Sequence, residues 1–253
     1  MVDKLAIQTV TVTDAGLVRE RNEDRLHVSD QLFVIADGMG GHSLGDAAAE
    51  FVVEALASTA DELETADFET RKSTITEALT EAARAIERHV DSVYNSEGSK
   101  QILDFGHAAG STVVGLHLGE NPLVFHVGDS RLYRYRNEIL TRLTRDHSLV
   151  QEMVDMCEIL ERDAHHHPHR NIITRAIGTY GPPDVEFSEV ELRAGDLVML
   201  CSDGLSDELL DERMEGIFRT THGVEQIAKE LLSAALDEGG KDNISIVLIE
   251  IEN

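Results

Sequence analysis

A chain of 253 residues, 42% of them hydrophobic, can bury a sizeable core, but with no Trp and only 4% aromatics that core must be built from Val, Ile, Leu and Ala. Against 22 basic residues stand 48 acidic ones, a formal charge of −26. Such a charge disfavours nucleic acid and anionic membrane as main partners, and it fits either a chain built for high salt or an ordinary acidic cytosolic protein.

Residues 5–13 alternate loosely and are rich in Val and Thr, which predicts an opening strand; 26–36 carries a second, with room for a hairpin around SDQ. The period then changes. Ala47, Ala48, Phe51, Val52, Ala55 and Leu56 share one helical face, and Ile75, Leu79, Ala82, Ile86, Val90 and Val93 share another, with TADELETADFET between them as an acidic turn. Short runs at about 110–118, 122–128, 131–136 and 139–143 predict strands joined by tight turns, hence antiparallel neighbours. Residues 146–176 form a polar, His-rich excursion. Strands return at 185–192 and 196–202, a helix follows with Val224, Ile227, Ala228, Leu231 and Ala235 on one side, and 243–251 closes the chain. Strands in blocks and helices in pairs predict an α+β fold. No Pro- or Ser-rich linker divides it, so one domain over 1–253 is expected. The N-terminus has no leader pattern, no apolar run reaches bilayer length, and two cysteines make no disulfide framework, so a soluble, cytoplasmic protein is expected.

One pattern recurs. The apolar run LFVIA stops on Asp37, PLVFHVG delivers Asp129, LVMLCS delivers Asp203, and GGKDNISIVLIEI begins with Asp242 before turning apolar. Three strands ending and one beginning on a carboxylate can bring all four to one rim. Taken singly, each Asp beside Gly is ordinary turn chemistry. Gathered together the carboxylates repel, unless divalent cations neutralise them and take their oxygens as ligands. Gly38, Gly128 and Gly204 would let a carbonyl or ligand approach closely. All-oxygen ligation selects Mg²⁺ or Mn²⁺ over Zn²⁺.

In order and spacing, RERNEDRLHV, VIADGMGGH, AAGSTVVGL, HVGDSRLYRYR, LTRDHSLVQEMV, HPHRNIITRAIGT, CSDGLSDEL and GGKDNISIVLI resemble the bacterial-type branch of the metal-dependent type 2C protein phosphatases, from about residue 5 to 251. The resemblance implies a four-layer αββα sandwich, two central antiparallel sheets flanked by helix pairs, with a flap at about 146–176 and a metal centre at one end. Asp37 would bridge two Mn²⁺ or Mg²⁺ ions, the Gly38 carbonyl would bind the second, and Asp203 and Asp242 would complete the first. Asp129, with Asp203, would hold a weaker third ion. Glu23 and Asp24 match the acidic pair that holds metal-bound waters, and Arg19 matches the arginine that grips phosphate. Two ions bridged by a water would generate hydroxide near neutral pH, hydrolysing phosphoserine and phosphothreonine on proteins phosphorylated by a Ser/Thr kinase, with no covalent enzyme intermediate. The alternative is a pseudophosphatase that kept the fold as a phosphoprotein-binding module; the ligand set argues against it.

Other residues carry weaker signals. His42 takes no firm role, since the animal branch's proposed general-acid histidine aligns with Met39. The run HHHPH, 165–169, has the look of a zinc site but falls in the flap. His117 and His126 read as strand histidines, Arg131 and Arg134 as braces on a hairpin after Asp129, and Cys201 as core packing. Cys157 stands in the flap where glycine is common in the family, which bears on flap flexibility, and Asp46 replaces a frequent glutamate.

Overall fold

The computed structural model describes residues 6–40, 44–96, 109–179 and 181–252. His42 lies outside them. In chain order the elements are β1 (Ile7–Asp14), β2 (Asp24–Val28), β3 (Leu32–Met39), α1 (Leu44–Ala57), α2 (Ala60–Thr65), α3 (Phe68–Ser96), β4 (Gly110–Ser111), β5 (Val113–His117), β6 (Leu123–Val127), β7 (Arg131–Arg136) and β8 (Ile139–Arg142). There follow α4 (Leu149–Asp155), α5 (Glu161–Ala164), β9 (Glu186–Glu189), β10 (Leu197–Cys201), α6 (Asp203–Ser206), α7 (Asp211–Thr220), α8 (Val224–Glu238) and β11 (Ile244–Ile251).

The strands form two antiparallel sheets, one in the order β1-β11-β10-β7-β8 and the other β2-β3-β5-β6-β9, with β4 paired to β3. Each central strand is apolar on both faces because both faces are covered. In β3, Phe33 and Ile35 meet Val198, Leu200, Val247 and Ile249 of the other sheet, while Leu32, Val34 and Ala36 pack under α1 and α3. In β11 the alternation has the opposite outcome: Ile244, Ile246 and Leu248 face α7 and α8. Full burial of each such side chain is worth about 1.5–3 kcal/mol, so the layered order follows from where these residues can leave water. Four layers, helix–sheet–sheet–helix, result.

Three expectations need correction. The acidic segment after α1 is not a turn: it folds into α2, which buries Leu63 under α3, and into the start of α3 itself. Residues 211–220, which the periodicity left without an element, form α7, whose Met214, Ile217 and Phe218 cover the outer face of the first sheet. Finally, β6 and β7 are not hairpin partners. β6 pairs with β5 and β9, whereas β7 pairs with β10 and β8, so the connection 128–130 carries the chain from one sheet to the other.

Candidate metal centre and the flap

The strand ends decide where the carboxylates meet. Asp37 lies near the end of β3, directly opposite Asp24, the first residue of β2. Asp203 opens α6 two residues past β10, and Asp242 precedes β11, the antiparallel neighbour of β10. Asp129 sits in the crossing from β6 to β7. The rim is therefore shared between two packed sheets and does not belong to one.

The electrostatics follow from this crowding. Burial pushes the Asp37 carboxyl well above its usual range, and the charges of Asp203, Asp24 and Asp129 push it further. Asp203 is raised by burial and then by Asp129, Asp207 and Asp242. Asp129 is pushed up to about 7, first by burial and then by Asp146 and Asp207. Asp24 also reaches about 7 through burial, although the Ser202 hydroxyl donates to its Oδ2 at 2.8 Å. Asp24 Oδ1, Asp129 Oδ1 and Asp203 Oδ1 are buried without a hydrogen-bond partner. A buried carboxylate oxygen left bare is costly, and a divalent cation is the group that would satisfy several at once. Gly38 adds to the fit: a Cβ there would lie 2.1 Å from the Gly45 carbonyl oxygen, and one on Gly45 would lie 2.8 Å from Glu23 Oε2. Side chains at either position would fill the cradle around the Gly38 carbonyl.

Arg19 lies at the mouth, half exposed, with Nη2 donating to Asp242 Oδ2 at 2.6 Å. Glu23 is held by its backbone N–H, which donates to Asn243 Oδ1 at 2.8 Å, and Asn243 Nδ2 donates in turn to the carbonyls of Ala15 and Arg21. Asn243 thus ties the segment carrying Arg19 and Glu23 to the start of β11, a role the sequence reading missed; its only signal was an amide beside Asp242. Asp207 was missed as well. It faces Asp203 and lies 3.6 Å from Arg170 of the segment 146–176.

Arg131 forks onto Asp146 with contacts of 2.6–3.1 Å and donates to the Tyr133 hydroxyl, and Arg134 donates to the Glu191 carbonyl, so both brace the sheet. They do so from a crossing strand and not from a hairpin. Asp46, in the first turn of α1, pairs with Arg25. Cys201 is fully buried with its thiol pushed up to about 12. His117 is buried against Arg71, and desolvation pushes it down to about 4. Cys157 has φ +58°, the left-handed region that favours glycine, which gives a backbone reason for glycine at that place. Among the described residues the HHHPH run gathers no set of three metal-ligating atoms.

The segment 146–176, with α4 capped by Ser148 Oγ accepting from the Gln151 N–H, lines one side of a cavity of about 330 Å³. Its lining includes Asp129, Asp203, Asp207, Arg131, His165 and Leu210. Asp129 and Asp203 therefore open directly into a space large enough for part of a peptide. Among the described residues no helix is long and apolar enough to cross a membrane.

Residues 18–244 match the family described as Protein phosphatase 2C. The serine/threonine phosphatase stp of Listeria monocytogenes is 34% identical over 253 residues, covering 94% of this chain and 93% of its own. The serine/threonine protein phosphatase PstP of Mycobacterium tuberculosis is 34% identical over 248 residues, 98% of this chain but 45% of its own length. Among solved structures, the catalytic domain of PstP in complex with two manganese ions superposes with a TM-score of 0.79 at 30% identity, covering 98% of this chain and 100% of that one. Stp1 of Staphylococcus aureus gives 0.83 at 28% identity, covering 98% and 96%. With strand ends, carboxylates and sequence in agreement over nearly its whole length, the chain belongs to the protein phosphatase 2C family.

Proposed function

We propose that this chain removes phosphate from phosphoserine and phosphothreonine residues of proteins by metal-dependent hydrolysis. The observation that carries the reading is the knot of buried carboxylates, Asp37, Asp129 and Asp203, whose pKa values are all pushed up and which leave bare oxygens at Asp129 and Asp203, a combination that calls for cations. Asp37, Asp203, Asp242 and the Gly38 carbonyl would hold two core ions, Mn²⁺ or Mg²⁺, with Glu23 acting through water, and Asp129 with Asp203 would hold a weaker third. Bound there, the ions would supply Lewis acidity, lowering the pKa of water toward neutrality and offsetting phosphate charge.

The chain's own residues do the rest. Arg19 is already at the mouth with its guanidinium on Asp242 and can turn one edge onto phosphate oxygens, a fork suited to that anion. Asp24, oriented by Ser202, holds or releases a proton near neutral pH beside Asp37. No side-chain nucleophile is needed, and Cys201 is unfit for one because its thiol is buried and weakly acidic. The cavity beneath the flap would take the peptide around the phosphoresidue. Residues 1–253 would act as one unit with 146–176 as its flap, opposing a Ser/Thr kinase in the cytoplasm, where the free thiols of Cys157 and Cys201 are at home. A binding module without chemistry is disfavoured because every matched ligand position is intact.

Hydrolysis of p-nitrophenyl phosphate and of phosphothreonine and phosphotyrosine peptides, assayed with Mn²⁺, Mg²⁺ or EDTA, tests this. Metal-dependent turnover with preference for phosphothreonine over phosphotyrosine is expected. Activity surviving thorough chelation would remove the metal-centre reading.

A further inference from the structure

We infer that His147 is a positioning residue whose imidazole holds the Asp129 crossing in place and ties it to the flap. Its link to activity rests on the proposal that Asp129 binds the third ion. His147 and Gly128, the residue before Asp129, exchange two hydrogen bonds. The Gly128 N–H donates to His147 Nδ1 at 3.1 Å, and the His147 N–H donates to the Gly128 carbonyl at 2.9 Å. Gly128 stands at φ +110°, and a Cβ there would lie 2.7 Å from Thr112 side-chain carbons, so no other residue could take this conformation in its place. Thr112 accepts the Asp37 N–H at 3.2 Å and bonds Ser130 Oγ at 2.8 Å. The crossing is therefore clamped on one side to the strand of Asp37 and on the other to His147.

His147 is also the root of the flap. Its carbonyl accepts the Thr174 N–H at 2.8 Å, and the next residue, Ser148, forms a bridge with Ile173 and caps α4. Both ends of the flap thus meet at the residue that grips Gly128. A displacement of the flap must strain those two bonds or move Asp129 with them.

The Gly128 bond also sets the tautomer. A backbone N–H can only donate, so Nδ1 must present a lone pair, and the neutral ring carries its proton on Nε2, which faces Glu186 Oε2 at 3.3 Å. Burial keeps the ring neutral by pushing its pKa below the usual range. His126, stacked on His147 with centroids 4.6 Å apart, completes with Glu186 a trio whose ligand atoms lie within 4.8 Å of one another. That trio invites a metal reading, which the same bonds oppose. Nε2 of His147 holds the proton and the Arg175 guanidinium, a donor that makes no hydrogen bond to that N–H, lies 3.3 Å away, so a cation would have to displace both the proton and a positive charge. The grouping serves to orient the ring.

His147→Asn and His147→Gln separate this role from space filling, because an Asn side-chain oxygen stands where Nδ1 was and a Gln oxygen reaches the Nε2 position. In the metal-free protein, exchange of the Gly128 amide should stay slow in wild type and His147→Asn and quicken about tenfold in His147→Gln. Calorimetry with Mn²⁺ should show both tight ions in each protein and weak-ion affinity reduced about tenfold in His147→Gln alone. Equal exchange and equal weak-ion affinity in the two folded variants would overturn the proposal. A wild-type measurement stands independently of how the variants fold: ¹⁵N imidazole shifts should report the Nε2–H tautomer, and an Nδ1–H tautomer would refute the clamp. Exchange and tautomer are read without metal, so absence of metal-dependent phosphatase activity would sink the functional reading separately.

Discussion

Arg19 shows how a single residue can serve two states. In the structure it neutralises Asp242 across 2.6 Å, yet its side chain remains half exposed and free to pivot. A grip on phosphate must be taken in exchange for this contact, so its net worth is that of one charge-assisted bond and not of an isolated ion pair. Arg19→Ala should therefore raise KM for small phosphate esters about tenfold while changing kcat less. Steady-state kinetics on p-nitrophenyl phosphate check this; an unchanged KM would show that Arg19 is not a phosphate ligand.

At the scale of elements, the crossing from β6 to β7 matters most, because three residues pass between sheets and one of them is Asp129. The core ligands Asp37, Asp203 and Asp242 come from β3, α6 and the lead into β11, so the crossing can lose its carboxylate without disturbing them. Asp129→Ala should retain two tightly bound Mn²⁺ ions by calorimetry and lose about 10–100-fold in turnover of phosphopeptides. Loss of all metal would place Asp129 in the core site. Full activity would leave the crossing with a purely structural task.

The whole molecule carries its acidity in two ways, as a surface charge that contributes to −26 and as a buried knot. Asp24 and Asp129 have folded pKa values pushed up to about 7. Between an ordinary carboxylate value near 4 and about 7, the folded metal-free protein thus binds more protons than the unfolded chain, so its stability falls as pH rises through that window. Surface repulsion acts in the same direction. Asp196, held below its usual range by Arg136 despite burial, acts oppositely only as pH falls below about 4. The buried rings of His117 and His147, pushed down by desolvation, act oppositely below about 6.5, but the raised carboxyls of Asp24, Asp37, Asp129 and Asp203 outnumber them. The melting temperature of EDTA-treated protein should drop from pH 5 to pH 7.5, and Mn²⁺ should restore it far more at pH 7.5 than at pH 5. A metal-free melting temperature that rises across the window would contradict the buried-knot account.

The amino-acid order alone determined that apolar strands stop or start on Asp37, Asp129, Asp203 and Asp242, because period and composition are local properties that survive without coordinates. It also determined the helical faces of α1, α3 and α8, whose apolar residues repeat over three turns or more. The partition of strands between sheets was decided only by tertiary packing. Val127 to Arg131 has the local pattern of a hairpin, and nothing within it says that Leu132 will face Leu200 in the first sheet while Val127 packs under α1 and α3. The short helices α2 and α7 were hidden for a related reason: Leu63 in one and Met214, Ile217 and Phe218 in the other are too few to set a period. Asn243 and His147 were illegible because each acts on a residue distant in sequence, Glu23 and Gly128 respectively, and Asp207, only four residues past Asp203, because its cationic partner Arg170 is distant. Such contacts exist only once two sheets have closed on each other, since that burial alone can hold unlike strand ends within reach of one rim.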